Sequence, residues 1–477
     1  MKPGSTLIVS FDGLRRDRAT PERMPHLARF MAAGTDFSNS RSVFPSETRV
    51  AVASLVTGAA PGSHGVVANA FLHPQAIAGR PLQTGDPEDL RAADALGALL
   101  DRPSLGERLA AAGRKLAVVS TSSPGAAWIM HHRAAAFGHF SYSTYGAAFS
   151  NLTAEDRDGL ARLGPIPAGG KPATARIEHA TTVVIEHLYP KVDPDIAILW
   201  YSDPDATAHA FGIDAPETLA AQRGADTAFG RLIDWWRRGH GPENILVMSD
   251  HGQITGIEDV APEAAMDGLG VDLLPGYYSS LYMTAPTPER IDAAVARLVA
   301  QPWCGLVFVN PQDGIEPPEG SLDARLVGSG HRRSATIGVV LRASAPQGPD
   351  AQAPGHCLFA KDIEPGGGIH GGLHREELAN VLAAAGPAFR GGFRSETPCW
   401  LPDVAPTLLS LLGIPCPDVD GRVLTEALGR GGDAPEIARR RLSAGRGGHE
   451  QHVEQWLVGG RAITDHAWST RAGDIGR

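Results

Sequence analysis

Leu7-Ile-Val-Ser-Phe11 runs directly into Asp12-Gly13 near the start of the chain. A continuous apolar run, without polar alternation, is expected of a strand buried on both faces of a parallel sheet. Three more runs read the same way: Lys115-Leu-Ala-Val-Val-Ser120, Ile196-Ala-Ile-Leu-Trp-Tyr201 and Asn244-Ile-Leu-Val-Met-Ser249. Helix signals lie between them. Thr20 to Gly34 has an early Pro21 and a terminal glycine, and Ser104-Leu-Gly-Glu107 resembles a capping box opening a helix to Ala112. Thr174 to about Leu188 and Pro216 to about Arg238 read as two more helices. Strands alternating with helices at this spacing predict an α/β layered core with a largely parallel central sheet.

The segments around this frame are less uniform. Arg41-Ser-Val-Phe-Pro-Ser-Glu-Thr48-Arg49 places hydroxyls at a turn, then continues through Leu55-Val-Thr-Gly58 to His64-Gly-Val-Val-Ala-Asn69. A hydroxyl just before a helix start can serve as an oxygen nucleophile beside an anion held by free N–H groups, or simply as an N-cap. Residues 123–172 show no clear period. From 255 to 366 the texture shifts to short strands and one helix near Pro288–Ala300, predicting a smaller α+β insertion or cap. Thr397 to Gly413 reads as a helix returning to the core. The expected organisation is therefore a core of residues 1–254 and 367–430, the insertion 255–366, and an appended or loosely ordered C-terminal tail 431–477.

Composition narrows the function classes. Of 477 residues, 43% are hydrophobic and 20% charged, as in globular proteins. A net charge of −10 excludes a surface that coats nucleic acid. A small anionic substrate would then need a locally positive site, which bound metal ions can supply. Cys304, Cys357, Cys399 and Cys416 lie far apart and form no CxxC pair, so free and mostly buried thiols are expected. No stretch approaches the length of a membrane span, and no secretory h-region is recognisable, so a cytoplasmic protein is expected. Oligomeric state has no signature here.

Asp12, Asp205 and Asp250 each sit just past an apparent strand end, where ligands gather in open parallel sheets. Three carboxylates there would repel one another unless cations bound between them. Asp205-Ala-Thr-Ala-His209 sets a carboxylate and an imidazole one helical turn apart, Asp250-His251 is an adjacent pair, and His370 stands in a glycine-rich loop. Mixed His/Asp donors suit zinc, with manganese or another divalent ion as alternatives.

Taken together, Phe11-Asp12-Gly13-Leu14-Arg15, Phe44-Pro45-Ser46-Glu47-Thr48, Val56-Thr57-Gly58, Ser63-His64-Gly65, Asn69, Pro204-Asp205, His209, Ser249-Asp250-His251-Gly252 and His370-Gly371 form one ordered pattern. It resembles the type I phosphodiesterase/nucleotide pyrophosphatase branch of the alkaline phosphatase superfamily. The resemblance implies an alkaline-phosphatase-like α/β/α fold and a di-zinc hydrolase of phosphoric esters. It implies one Zn2+ on Asp205, His209 and His370 and another on Asp12, Thr48, Asp250 and His251. Thr48 matches the nucleophile, giving a phospho-threonine intermediate, and Asn69 the amide that binds a phosphoryl oxygen. Ser46, two residues away, is the alternative nucleophile.

Arg49 departs from the pattern, since many relatives carry an aromatic residue there. It is expected either to clamp a second charge on a small phosphorylated substrate or to be an exposed helix-start residue. The clamp would favour a phosphomonoester or a phosphonoacetate-hydrolase-like activity, and a catalytically silent metal-bound protein is the reading from another class. Tyr142, Tyr145 and Trp128 are candidates for base contacts or core packing. His64 is expected to be structural, His374 to support the site or lie at the surface, and His131-His132 to lie at the surface.

Overall fold

The computed structural model describes residues 2–97, 99–311, 314–344, 355–429 and 431–472. The opening run forms the strand Thr6–Phe11, buried throughout. Its side chains divide between two cores. Leu7, Val9 and Phe11 pack with Leu27, Ile177, Phe229 and Leu232 on one face. Ile8 joins Val50, Val118, Ile198, Leu246 and Leu408 on the other. Helices therefore cover both faces, which is why the strand needs no polar alternation. Pro25–Ala33, Thr174–Val183 and Pro216–Arg237 form one layer, and Thr48–Thr57, Pro124–Met130 and Val404–Leu411 the other.

The central sheet has eight strands. Ile196–Tyr201 and Asn244–Met248 flank Thr6–Phe11 in parallel. Leu116–Ser120 and then Ser141–Ser143 extend the sheet on one side, also in parallel. On the other side Leu382–Ala385 runs antiparallel to Asn244–Met248, followed by Thr35–Phe37 and Phe393–Ser395. Asp12, Ser202 and Ser249 thus leave three adjacent parallel strands at the same edge, and the loops they begin carry the acidic groups. The predicted capping box is present: Ser104 N–H donates to Glu107 Oε2 at 2.8 Å, and Glu107 N–H to Ser104 Oγ at 3.3 Å.

The smaller unit is built on a five-stranded sheet ordered Val271–Leu274, Tyr278–Met283, Ile337–Leu341, Cys304–Val309 and Leu322–Asp323. Helix Pro288–Val299 packs Ile291, Val295 and Leu298 against Val307 and Val339 of that sheet. A separate three-stranded sheet, His356–Phe359, Ile254–Asp259 and Gly368–Ile369, leads the chain back to His370.

Two regions differ from the sequence reading. Residues 123–172 hold short helices at Pro124–Met130, Ala134–Phe137 and Ala154–Ala161, too brief to show a period. Within this region His131 is buried, not at the surface, and its Nε2 lies 2.8 Å from His139 Nδ1. The C-terminal stretch is no loose tail. Ile437–Arg446, His449–Val458 and Arg461–Arg471 form an antiparallel meander, with residues 473–477 outside the described ones. Its polar composition misleads because cross-strand pairs such as Arg441 Nε to Glu454 Oε1, 2.6 Å, occupy one face. Val453, Trp456, Val458 and Ile463 are buried on the meander's inner side. All four cysteines are free thiols, three buried and Cys416 half-buried. Among the described residues, no helix is long and apolar enough to cross a membrane.

Candidate active site

The strand-end acids and the histidines meet in two groups. Asp205, His209 and His370 form one, and Asp12, Asp250 and His251 the other; within each, one ligand atom per residue lies within 4.8 Å of the others. The groups adjoin, because the His251 and His370 rings stack at 3.7 Å and Asp205 N–H donates to Asp12 O at 3.0 Å.

The imidazole tautomers follow from their partners. His209 Nδ1 lies 2.7 Å from Gly368 O, His370 Nδ1 2.7 Å from Ser46 O, and His251 Nδ1 3.0 Å from Gly252 O. A carbonyl only accepts, so each Nδ1 carries the proton, and in its neutral form each ring turns a bare Nε2 lone pair into the site. His209 Nε2 and His370 Nε2 face each other at 3.2 Å, and lie 3.3 and 3.5 Å from Asp205 Oδ1. His251 Nε2 faces Asp250 Oδ2 at 3.2 Å and Asp12 Oδ1 at 3.9 Å. Asp250 Oδ2 is buried and accepts no hydrogen bond among the described residues.

Lone pair against lone pair is a repulsive arrangement that a cation at the centre of each group turns into ligation. The titration behaviour has the same origin. Burial, reinforced by Asp250 and Asp205, pushes the Asp12 carboxyl well above its usual range. Burial lowers His251, but the charges of Asp250 and Asp205 outweigh it and draw the ring up to about 9. The donor set and its orphaned atoms fit two divalent ions.

Thr48 begins the buried helix Thr48–Thr57, and its Oγ1 lies 3.2 Å from His251 Nε2 and 3.4 Å from Asp12 Oδ1. Ser46 is placed differently. Its Oγ accepts from Gly371 N–H at 3.0 Å and donates to Gly372 O at 2.9 Å, with no exposed surface. Asn69 is held through its backbone: its N–H donates to Glu47 Oε2, and its carbonyl accepts from Thr84 N–H at 3.0 Å and Thr84 Oγ1 at 2.7 Å. Arg49 is half-buried, and its Nε donates to the same Thr84 Oγ1 at 3.0 Å.

A cavity of about 270 Å3 opens beside these groups, with Glu47, Asn69, His209, Tyr277, Tyr278, Asp362 and His370 among its walls. Arg49 is not among them. Burial pushes the Glu47 carboxyl up to about 7, against the Asn69 N–H and the charge of Arg49. The smaller unit therefore contributes Tyr277, Tyr278 and Asp362 to the site. Of the aromatic candidates, Tyr142 bonds His179 Nε2 at 2.7 Å, Trp128 packs against the core, and Tyr145 lies exposed beneath Arg176. His64 is fully buried between Ser54 Oγ and Val66 N–H, and His374 caps the short helix Arg375–Leu378.

Several supporting residues escaped the sequence reading. Trp200 Nε1 donates to Asp12 Oδ2 at 2.8 Å, and Gln253 Nε2 to Asp205 Oδ1 at 2.6 Å. Glu377 accepts from Gly372 N–H, His374 N–H and Tyr277 O–H at 2.8, 3.1 and 3.0 Å. Trp200 and Gln253 stand next to recognisable motifs, which is a usable signal. Thr84 and Glu377 carry none.

Known proteins resemble this chain in sequence and in fold. The bis(5'-adenosyl)-triphosphatase enpp4 of Xenopus laevis is 24% identical over 249 residues, 52% of this chain and 46% of that protein, so the match spans about half its length. Human ENPP4 is 39% identical over 69 residues, 14% of this chain and 15% of that protein. The structure of murine ENPP5 superposes with a TM-score of 0.63 at 20% identity, covering 89% of this chain and all of that one, which shows the alkaline-phosphatase-like fold. The family model for type I phosphodiesterase / nucleotide pyrophosphatase matches residues 6–301. By that match the chain is a member of the type I phosphodiesterase/nucleotide pyrophosphatase family.

Proposed function

We propose that the protein is a metal-dependent hydrolase of phosphodiester or nucleotide pyrophosphate bonds, acting through Thr48. The observation that carries this reading is the Thr48 hydroxyl at the start of a buried helix, in contact with both His251 Nε2 and Asp12 Oδ1. Asp205, His209 and His370 would hold one ion, and Asp12, Asp250, His251 and Thr48 Oγ1 the other, with zinc the metal best suited to these donors. Such ions lower the pKa of a bound hydroxyl and neutralise charge on phosphoryl oxygens.

The chain's own groups account for the rest. Thr48 Oγ1 attacks phosphorus, the bond to the departing alcohol or phosphate oxygen breaks, and water later cleaves the phosphothreonine. The free N–H groups of the helix that Thr48 begins favour an anionic phosphoryl group beside it. Asn69, held by Glu47 and Thr84, donates its side-chain amide to a non-bridging oxygen. Arg49 braces Thr84 and through it the Asn69 backbone, in place of the second-charge clamp. Asp362 and, above about pH 7, Glu47 add negative charge to the cavity walls, so a substrate arm with a second negative charge is disfavoured there. This charge sense favours a diester, whose reacting phosphate carries a single charge, over a monoester or a carboxylate-bearing phosphonate.

The test is turnover by zinc-loaded protein of bis(p-nitrophenyl) phosphate, p-nitrophenyl phosphate and a p-nitrophenyl phosphonate, with dinucleoside polyphosphates added because of the name of the Xenopus relative. Diester turnover should exceed monoester turnover, and Thr48→Ala should abolish it by on the order of a thousandfold or more. Preference for the monoester would overturn the substrate reading. Two bound metals with no turnover of any substrate would favour the silent binding protein.

A further inference from the structure

Thr48 and His370 stand at one end of a paired ribbon. The segment before Thr48 and the segment after His370 lie side by side: Ser46 bonds Gly371 and Gly372, Ser42 N–H donates to Leu378 O at 2.8 Å, and Arg41 bridges Ala379. The far end of the ribbon meets the last strand of the C-terminal meander. There Arg41 Nε and Nη2 donate to Asp465 Oδ1 at 3.0 and 2.6 Å, with the guanidinium 4.6 Å from the centre of the Trp456 ring. Asp465 Oδ2 lies 3.5 Å from Arg375 Nη2, and the neighbouring Ala467 N–H donates to Leu373 O at 2.8 Å. The side chains of Arg41 and Asp465 are each 7% exposed.

The strand itself is shaped for this contact. Thr464 pairs with Gln455 and His466 with Glu454, which leaves Asp465 as the extra residue of a β-bulge. In consequence Asp465, His466 and Ala467 are all buried, where a regular strand would alternate. Bulges commonly re-aim a side chain near a functional site.

We infer that Asp465 is a positioning residue: from its bulge it pins together the two segments that carry Thr48 and His370, fixing the nucleophile against the metal-binding group. This rests on the functional reading above, since positioning matters only if these residues act together. One carboxylate joins a segment from early in the chain to one from late in it, and no other meander side chain bonds both arginines among the described residues.

The test uses the full chain, with kcat and KM on bis(p-nitrophenyl) phosphate, zinc affinity by chelator competition, and thermal midpoint. Asp465→Asn should lower kcat by about tenfold to a hundredfold, with KM within about twofold. It should also weaken zinc binding by about tenfold, as loss of support behind metal ligands does. Arg375→Met, at a half-exposed side chain, should give a smaller loss of the same kind. The double variant Arg41→Met/Asp465→Leu removes both buried charges and should regain thermal stability without regaining kcat. If kcat returned with stability in the double variant, or Asp465→Asn kept wild-type kcat and zinc affinity, the inference would be overturned. Wild-type protein that binds zinc but cleaves no diester would defeat the functional reading alone, while an unchanged zinc affinity in Asp465→Asn would then defeat the pin.

Discussion

Ser46→Ala separates the two hydroxyls at the nucleophile turn. Ser46 Oγ bridges Gly371 N–H and Gly372 O at 3.0 and 2.9 Å in a spot with no exposed surface. Alanine would leave both backbone groups unpaired, each costing about 1–3 kcal/mol, and partial relaxation brings the expected loss to about 2–4 kcal/mol. Unfolding entropy of about 2.1 cal/mol/K per residue gives roughly 1 kcal/mol/K for a chain of 477 residues. The thermal midpoint should therefore fall by about 2–4 °C. Turnover should survive, reduced by about threefold to tenfold, because His370 Nδ1 bonds the backbone carbonyl of Ser46 and keeps that anchor. The assay is a thermal melt alongside diester turnover and zinc content. An unchanged midpoint would refute the hydrogen-bond reasoning. Activity as low as that of Thr48→Ala, with zinc retained, would make Ser46 the nucleophile.

Metal removal should also be visible in stability: chelation should lower the melting midpoint and abolish turnover, and zinc at 100 times its Kd should restore about 2.7 kcal/mol. A melt indifferent to chelator and zinc would contradict the metal reading. Gly252→Ala would place a Cβ 2.1 Å from Glu376 O, beside His251. Backbone must then shift, so a loss of about 1–3 kcal/mol and weaker zinc binding are expected, measurable by urea unfolding and chelator competition. Burial raises the Asp101 carboxyl, but hydrogen bonds from Arg332 and His331 and the charge of Arg333 outweigh it and hold it at about 2. Its folded-state value lies below the unfolded one, so this contribution is present above about pH 4 and lost between about pH 4 and 2. Wild type should exceed Asp101→Asn in stability at pH 6 and converge with it by pH 2; parallel curves would show that the pairing adds nothing.

Much of the site could be read before the fold was known, and for a local reason. Asp12, Asp205 and Asp250 each follow a buried strand, and parallel pairing alone brings strand ends together, so sequence position translated directly into space. Arg49 could not be read that way. Its direction is set by Thr84, which comes from a loop 35 residues away. Ser46 and Thr48 are told apart in the sequence only by the family pattern, and the return of Gly371 and Gly372 separates them physically. The meander was illegible because its inward residues are few and separated by arginine, glutamate and glutamine. The bulge that turns Asp465 inward also breaks the alternation by which such strands are recognised. Glu377 and Thr84 bond backbone groups, and that use leaves no mark in a single sequence.

The bond between Arg41 and Asp465 also has a timetable. A ribosome adding about 5–20 residues per second needs roughly 20–80 s after Thr48 before it reaches Asp465. For roughly 16–64 s of that interval the early segment has its hydroxyl but not His370, and to its end it lacks the carboxylate that closes the ribbon. The pairing of Arg41 with Asp465 can therefore form only when the final strands dock. The Asp12, Asp250 and His251 group is complete by residue 251, so the last support to be made for the site is the one furthest from its chemistry.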